Sequence, residues 1–228
     1  MKKAFLALLG GVLFTFTTQA QDTSSENRKA TAGNIALEAN LNLFDFHNIS
    51  LSNNLGQIKG RYFLSDDMAL RLGVDIDYQN HSYDNNDLIL PIIEDNNLFG
   101  ISINPGIEKH FAGTERLSPY IGAELSLQYR GSSTTVTEGA RVTEYKGSWA
   151  HGGNRGYWGA GLSGLAGFDY YLAKNFFVGY ELGLGLFFRH NKEVTITSNT
   201  TTITREGHNN TSFGPSVLNG IRVGFVLK

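Results

Sequence analysis

From residue 33 to its end the chain alternates between apolar and polar residues, and this alternation recurs in eight separate stretches. The seventh stretch, residues 176–188, is the clearest. Every second residue in it is apolar, and Gly179, Glu181 and Gly183 lie between the apolar ones. A period of two places successive side chains on opposite faces of a β-strand. The pattern therefore predicts eight strands, at residues 34–46, 55–64, 68–78, 99–111, 120–130, 157–172, 176–188 and 217–228.

The lengths of these stretches and of the connections between them predict a membrane barrel. Each stretch has 10 to 16 residues, and about 9–11 residues are enough for a tilted strand to cross a bilayer. Short links follow the second, fourth and sixth stretches, and long polar segments follow the third, fifth and seventh. Outer-membrane barrels have short periplasmic turns and long external loops. We therefore expect an all-β fold, an eight-stranded antiparallel up-and-down transmembrane β-barrel at residues 33–228, with both termini periplasmic.

Charged residues fall in one phase of the alternation and indicate which face is inside. An eight-stranded barrel has room in its interior only for side chains, and a Lys or Arg facing lipid near the midplane would cost about 2–4 kcal/mol. The polar phase is therefore expected inside, where seven acidic and six basic residues can pair and plug the lumen. The predicted lumen charge network consists of Glu38, Lys59, Arg61, Arg71, Asp75, Asp77, Glu108, Glu124, Arg130, Asp169, Glu181, Arg189 and Arg222.

Aromatic residues of the opposite, apolar phase cluster near the strand ends, as they do in the interfacial belts of membrane proteins. Strand propensity alone would explain aromatic residues but not their concentration at the ends. The predicted lipid-interface aromatics are Tyr62, Tyr78, Phe111, Tyr129, Trp158, Tyr170, Phe176, Phe188 and Phe225.

The first 20 residues have the features of an export signal. Lys2 and Lys3 precede an apolar run at residues 4–16, and small residues, Thr18 and Ala20, occupy the two positions that a signal peptidase reads. A 13-residue run is too short to cross a bilayer as a helix, which favours a cleaved signal peptide over an anchor. We expect residues 1–20 to be the signal peptide and residues 21–32 to be a polar periplasmic leader.

Composition and motifs give little sign of chemistry. The chain has no cysteine and a net charge of −2, so disulfides and thiolate metal sites are excluded and a nucleic-acid partner is not expected. Residues 159–164 match the Gly-x-Gly-x-x-Gly dinucleotide motif, but they lie within a predicted strand with no helix after it. Five of the six histidines lie in or beside the outer loops without a metal-ligand spacing: His47, His81, His151, His190 and His208. We expect no catalytic residue, no cofactor and no metal, and hence no enzyme.

The chain resembles the small outer-membrane barrels of the OmpA transmembrane-domain and OmpX type. The resemblance covers residues 33–228 and rests on the eight alternating stretches, on the turn segments at residues 62–67 and 170–175, and on the ending at residues 224–228. It implies an outer-membrane protein in contact with lipid, inserted by the barrel-assembly machinery and monomeric. Such barrels host adhesins, enzymes and passive barrels, so the resemblance implies a fold more than a function.

Two segments of the long loops predict β-hairpins. Residues 194–197 and 201–204 flank a turn at residues 198–200, extending the seventh and eighth strands, and residues 136–137 and 141–143 flank a second turn beside it. Exposed strand edges can pair with a partner chain by β-addition. We therefore expect a structural or surface-binding, adhesion-type protein whose loops take a surface protein or host ligand. A narrow channel for small or apolar solutes is the alternative, and a lipid A-modifying enzyme is less favoured.

Overall fold

The computed structural model describes residues 28–41, 55–85, 91–215 and 220–227. These residues form twelve β-strands and a short 3-10 turn at Ala150–Gly152. No helix in these ranges is long and apolar enough to cross a membrane. The strands are β1 (Ile35–Leu41), β2 (Leu55–Ser65), β3 (Met68–Asn85), β4 (Ile92–His110), β5 (Leu117–Glu138), β6 (Arg141–Lys146), β7 (Tyr157–Ala173), β8 (Phe176–Asn191), β9 (Val194–Ser198), β10 (Thr201–Arg205), β11 (His208–Pro215) and β12 (Gly220–Leu227).

Antiparallel ladders join eight of the described strands into a ring, in the order β1, β2, β3, β4, β5, β7, β8, β12 and back to β1. In the closing ladder, Ile35 pairs with Leu227 and Leu41 with Ile221. β11 lies beside β8 beyond β12, and pairs with residues 184–191 of that strand. The all-β antiparallel barrel predicted from the alternation is confirmed, and the ladders follow the predicted up-and-down order.

Beyond one end of the ring, β3, β4 and β5 extend and are joined by β6, β9 and β10. These six strands form a sheet in the order β3, β4, β5, β6, β9, β10, which we call the outer sheet. β5 pairs with β7 as far as Arg130 and with β6 from Ser133 onward. Both predicted hairpins are present, β5–β6 and β9–β10. The hairpin at residues 194–204, β9–β10, is predicted to extend the seventh and eighth strands, and this prediction is wrong. β9 pairs with β6 instead, and β11 is the strand that pairs with the end of β8.

An apolar cap fills the opposite end of the ring, where the turns are short. Phe63, Tyr171 and Phe177 are buried there, and the ring centroids of Tyr171 and Phe177 lie 5.6 Å apart. The described part of the predicted leader runs across this end. The Ala30 amide donates to the Tyr171 hydroxyl at 3.3 Å, and the Gly33 amide donates to the Phe63 carbonyl at 2.8 Å. The cap and the leader together cover this mouth of the ring.

The two faces of the ring differ as the alternation requires. Outward apolar residues are exposed, for example Ile76 at 65% and Leu162 at 63%, which reverses the arrangement of a soluble protein and suits contact with lipid. Six of the predicted interface aromatics are exposed: Tyr62, Tyr78, Phe111, Tyr129, Trp158 and Tyr170. Phe176, Phe188 and Phe225 are half-buried. Contact of these rings with lipid stays a prediction.

Several expectations fall on residues outside the described ranges. They are the signal peptide at 1–20, the first part of the leader, the end of the first strand at 42–46, the loop that contains His47, and the start of the last strand at 217–219.

Candidate functional site in the barrel lumen

Glycines opposite the inward charges give those charges the space in which they meet. Arg71 of β3 pairs across the ladder with Gly106, and Asp169 and Arg222 both pair with Gly179. A Cβ at Gly106 would lie 2.9 Å from Cγ of Arg71, and one at Gly179 would lie 2.8 Å from Oδ1 of Asp169. Larger residues here would therefore displace the charged side chains from the centre of the lumen.

Arg71 holds three carboxylates at once. Its Nη1 lies 2.8 Å from Oε1 of Glu108 and 2.8 Å from Oε2 of Glu181, and its Nη2 lies 2.8 Å from Oε2 of Glu124. The Tyr120 hydroxyl donates to the same Glu181 oxygen at 2.6 Å. Charge-assisted bonds of this length are among the stronger hydrogen bonds in proteins.

Arg61 and Arg222 form a second group around two shared carboxylates. Arg222 lies 3.0 Å from Glu38 and 2.7 Å from Asp169, and Arg61 lies 3.0 Å and 2.7 Å from the same two residues. Arg61 also lies 3.2 Å from Glu108, which binds Arg71 with its other oxygen. The two groups are therefore one network.

Every strand of the ring contributes to this network, which we call the lumen network. Lys59 completes it, 3.2 Å from both Glu38 and Glu181. No member is more than 3% exposed, so the ions meet each other across the barrel interior. The members are Glu38 (β1), Lys59 and Arg61 (β2), Arg71 (β3), Glu108 (β4), Glu124 (β5), Asp169 (β7), Glu181 (β8) and Arg222 (β12).

Four residues predicted for this network lie elsewhere. Asp77 and Arg130 both pair with Gly100 at a higher level of the barrel, where their charged atoms are 4.0 Å apart and partly exposed. Asp75 is half-buried close to Asp77. Arg189 is exposed and its guanidinium lies 4.2 Å from the centroid of the Tyr157 ring. The expectation of one network was wrong for these four, because alternation predicts the face of a strand and not the height on it.

The sequence reasoning missed two polar partners of the network. The His110 ring lies between Glu108, 3.2 Å from Nε2, and the Ser118 hydroxyl, 3.0 Å from Nδ1. Tyr120 is 2% exposed and binds Glu181. A signal was present, since both residues occupy the inward phase of their strands.

The lumen network is suited to ion pairing. In the described residues no group of three or more His, Asp or Glu side chains is arranged to hold a metal ion. Each arginine of the network contacts three carboxylates.

An antiparallel ring with an apolar exterior and a charged interior defines an outer-membrane β-barrel. Residues 41–193 match the model of the Putative OmpA-OmpF-like porin family, and the chain belongs to that family. The predicted resemblance to OmpA-type outer-membrane barrels is thereby confirmed.

Two solved structures are similar to the chain. The N-terminal β-barrel domain of Pseudomonas aeruginosa OprF has 16% sequence identity and a TM-score of 0.42, over 87% of this chain and 100% of that one. Acinetobacter baumannii CarO2 has 16% identity and a TM-score of 0.33, over 87% and 98%. No protein among the curated sequences matched the chain.

Proposed function

We propose that this protein is a closed barrel that holds the outer sheet at the cell surface, where the sheet binds an extended segment of a partner protein by β-addition. The long-loop end then faces outward and the capped, short-turn end faces the periplasm, as in other barrels of this kind. Binding without catalysis accords with membership in a porin-like family. The observation that carries the proposal is the exposed edge strand β10.

β10 pairs with β9 on one side and is the last strand of the outer sheet among the described residues. All five of its side chains are exposed. An edge strand of this kind presents unpaired N–H and C=O groups that a partner strand can bind. The edge is therefore available for main-chain hydrogen bonds along the length of β10.

The hairpin geometry indicates which residues turn their backbone toward a partner. Only Asn199 and Thr200 separate the paired residues Ser198 and Thr201, and Asn199 has a φ of 51°. In a two-residue hairpin the closing pair is hydrogen-bonded and the bonded pairs then alternate. Thr204 is therefore in a non-bonded pair, so its N–H points to the open edge.

We expect Thr204→Pro to weaken partner binding by about tenfold or more, because the ring removes an outward N–H and blocks approach without breaking the β9–β10 ladder. Thr204→Val keeps the backbone and is the matched control. The measurement is the amount of surface protein captured from an extract by each purified, detergent-solubilised variant. Deletion of residues 194–204 should abolish capture while the barrel still inserts. Equal capture by the wild type, the proline variant and the deletion would contradict β-addition.

A narrow channel is the second candidate, since the family is described as porin-like. The lumen network favours the closed barrel, because ion pairs from all eight strands occupy the interior. Reconstituted in planar lipid bilayers, the wild type is expected to show no steady single-channel conductance. Long-lived openings of large conductance in the wild type would favour the channel instead.

A further inference from the structure

A cavity of about 190 Å³ lies between the outer sheet and the segment that links β6 to β7. Tyr145 pairs with Ile196, and Val194 pairs with Arg205, so one face of the sheet presents these side chains together. The linking segment packs on that face, where the Ala150 amide donates to Oγ1 of Thr134 at 2.9 Å. The cavity is lined by Tyr145, Ser148, His151, Gly152, Arg155, Val194, Ile196 and Arg205.

The side chains that line this cavity are either basic or uncharged. Arg155 donates through Nε to the Lys192 carbonyl at 2.7 Å and through Nη2 to the Glu206 carbonyl at 2.5 Å. Carbonyl oxygens fix the guanidinium in place, but no carboxylate of the described residues forms an ion pair with it. Arg205 makes no ion pair or side-chain hydrogen bond within the described residues. Within the described part of the chain, no Asp or Glu lines the cavity.

The backbone beside the cavity is held in a costly conformation. His151 has a φ of 59° and Asn154 a φ of 42°, which lies in the left-handed region that non-glycine residues rarely adopt. His151 thereby reaches the cavity wall next to Gly152. Strain of about 1–3 kcal/mol per residue persists where the surrounding structure requires it, often at binding sites.

We propose that this cavity binds a phosphate monoester carried by a sugar or a group of similar size. Two guanidinium groups and an imidazole favour an anion that can carry two charges, and the Ser148 and Tyr145 hydroxyls can donate to its other oxygens. The space is comparable to about six liquid water molecules, enough for a phosphate and part of its carrier. Val194 and Ile196 give the carrier an apolar wall. The inference rests on the proposed function in placing the cavity on the outer side, and it gives that surface a ligand class.

The phosphate can come from a free sugar phosphate or from a phosphorylated glycolipid head group of the outer leaflet. Two arms separate these sources. Calorimetric titration of the full-length protein in uncharged detergent uses glucose 6-phosphate, with glucose and glucuronate as comparisons. A second titration repeats the measurement in nanodiscs of phosphatidylcholine with and without lipid A. Competition by lipid A identifies the head group as the source, and unchanged glucose 6-phosphate binding identifies the free solute.

We expect glucose 6-phosphate to bind with a dissociation constant of roughly 0.1–1 mM, and glucose not to bind. Arg205→Ala should weaken binding about tenfold or more, since it removes a charge-assisted donor. Arg141→Ala, which removes another exposed arginine of the outer sheet, should leave binding within about twofold. Arg205 has no structural partner in the described residues, and an unchanged circular dichroism spectrum will show that the variant is folded.

Three results would overturn the inference: no binding of glucose 6-phosphate and no effect of lipid A, equal affinity for glucuronate and the phosphate, or binding that Arg205→Ala leaves unchanged. Thr204→Pro should not alter this titration. Loss of partner capture with intact phosphate binding, or the reverse, therefore shows which of the two proposals has failed.

Discussion

Replacing Arg71 with alanine is expected to lower the free energy of unfolding by about 3–5 kcal/mol, because three buried carboxylates lose their shared cation. Those carboxylates, on Glu108, Glu124 and Glu181, each lie 2.8 Å from the guanidinium nitrogens. Glu108 keeps its contact with Arg61, and Glu181 keeps its contact with Lys59. Both of these cations are already shared with Glu38, so the network is left one positive charge short. Urea unfolding of the protein in phospholipid vesicles, followed by tryptophan fluorescence, measures the change.

Arg130→Ala is the matched control for this experiment. Arg130 is an inward-phase arginine of the same barrel, but its only ion pair among the described residues, with Asp77, spans 4.0 Å and is partly exposed. A pair of that kind contributes about 1 kcal/mol or less. If both alanine variants lost the same stability, the lumen network would not be the source of the loss.

Phe177→Ala should have the second large effect, a loss of about 3–5 kcal/mol. The side chain is fully buried in the apolar cap, its ring lies 5.6 Å from that of Tyr171, and the Arg61 guanidinium lies 4.9 Å from its centroid. Truncation leaves a cavity beside a buried charge. Phe176→Ala, one residue away on the outward face, should cost clearly less in the same urea experiment. A larger loss at Phe176 would mean that the cap is not a stabilising element.

Within the ring, the alternation predicts the fold reliably, because one face of each strand lies in the barrel interior and the other lies on the outside. It failed outside the ring. β3 continues to Asn85, yet residues 79–85 are almost all polar, because both faces of this part of β3 are largely exposed to water and no alternation is required. The pairing of Asn85 with Ile92 depends on backbone hydrogen bonds, which the side-chain pattern does not encode.

The lumen site was predictable in kind but not in extent. The alternation predicts that Arg222 and Arg189 both face the interior of the barrel. The ladders place these residues at different heights along the barrel, and of the two only Arg222 contacts Glu38. The apolar cap went unpredicted for a related reason. Phe63 and Phe177 occupy the inward phase, which the alternation predicts to be polar, and the closure of the short-turn end explains an apolar side chain there.

The lumen network also constrains the order in which the protein can assemble. Arg222 and Glu38 are 184 residues apart in sequence and meet only when the last strand pairs with the first. Contacts of such high sequence separation form slowly. Until that ladder closes, the interior ions lack part of their compensation, and an open barrel would present an unpaired strand edge to lipid, which is costly. Membrane insertion and ring closure are therefore coupled, and β12 is the strand whose arrival completes both.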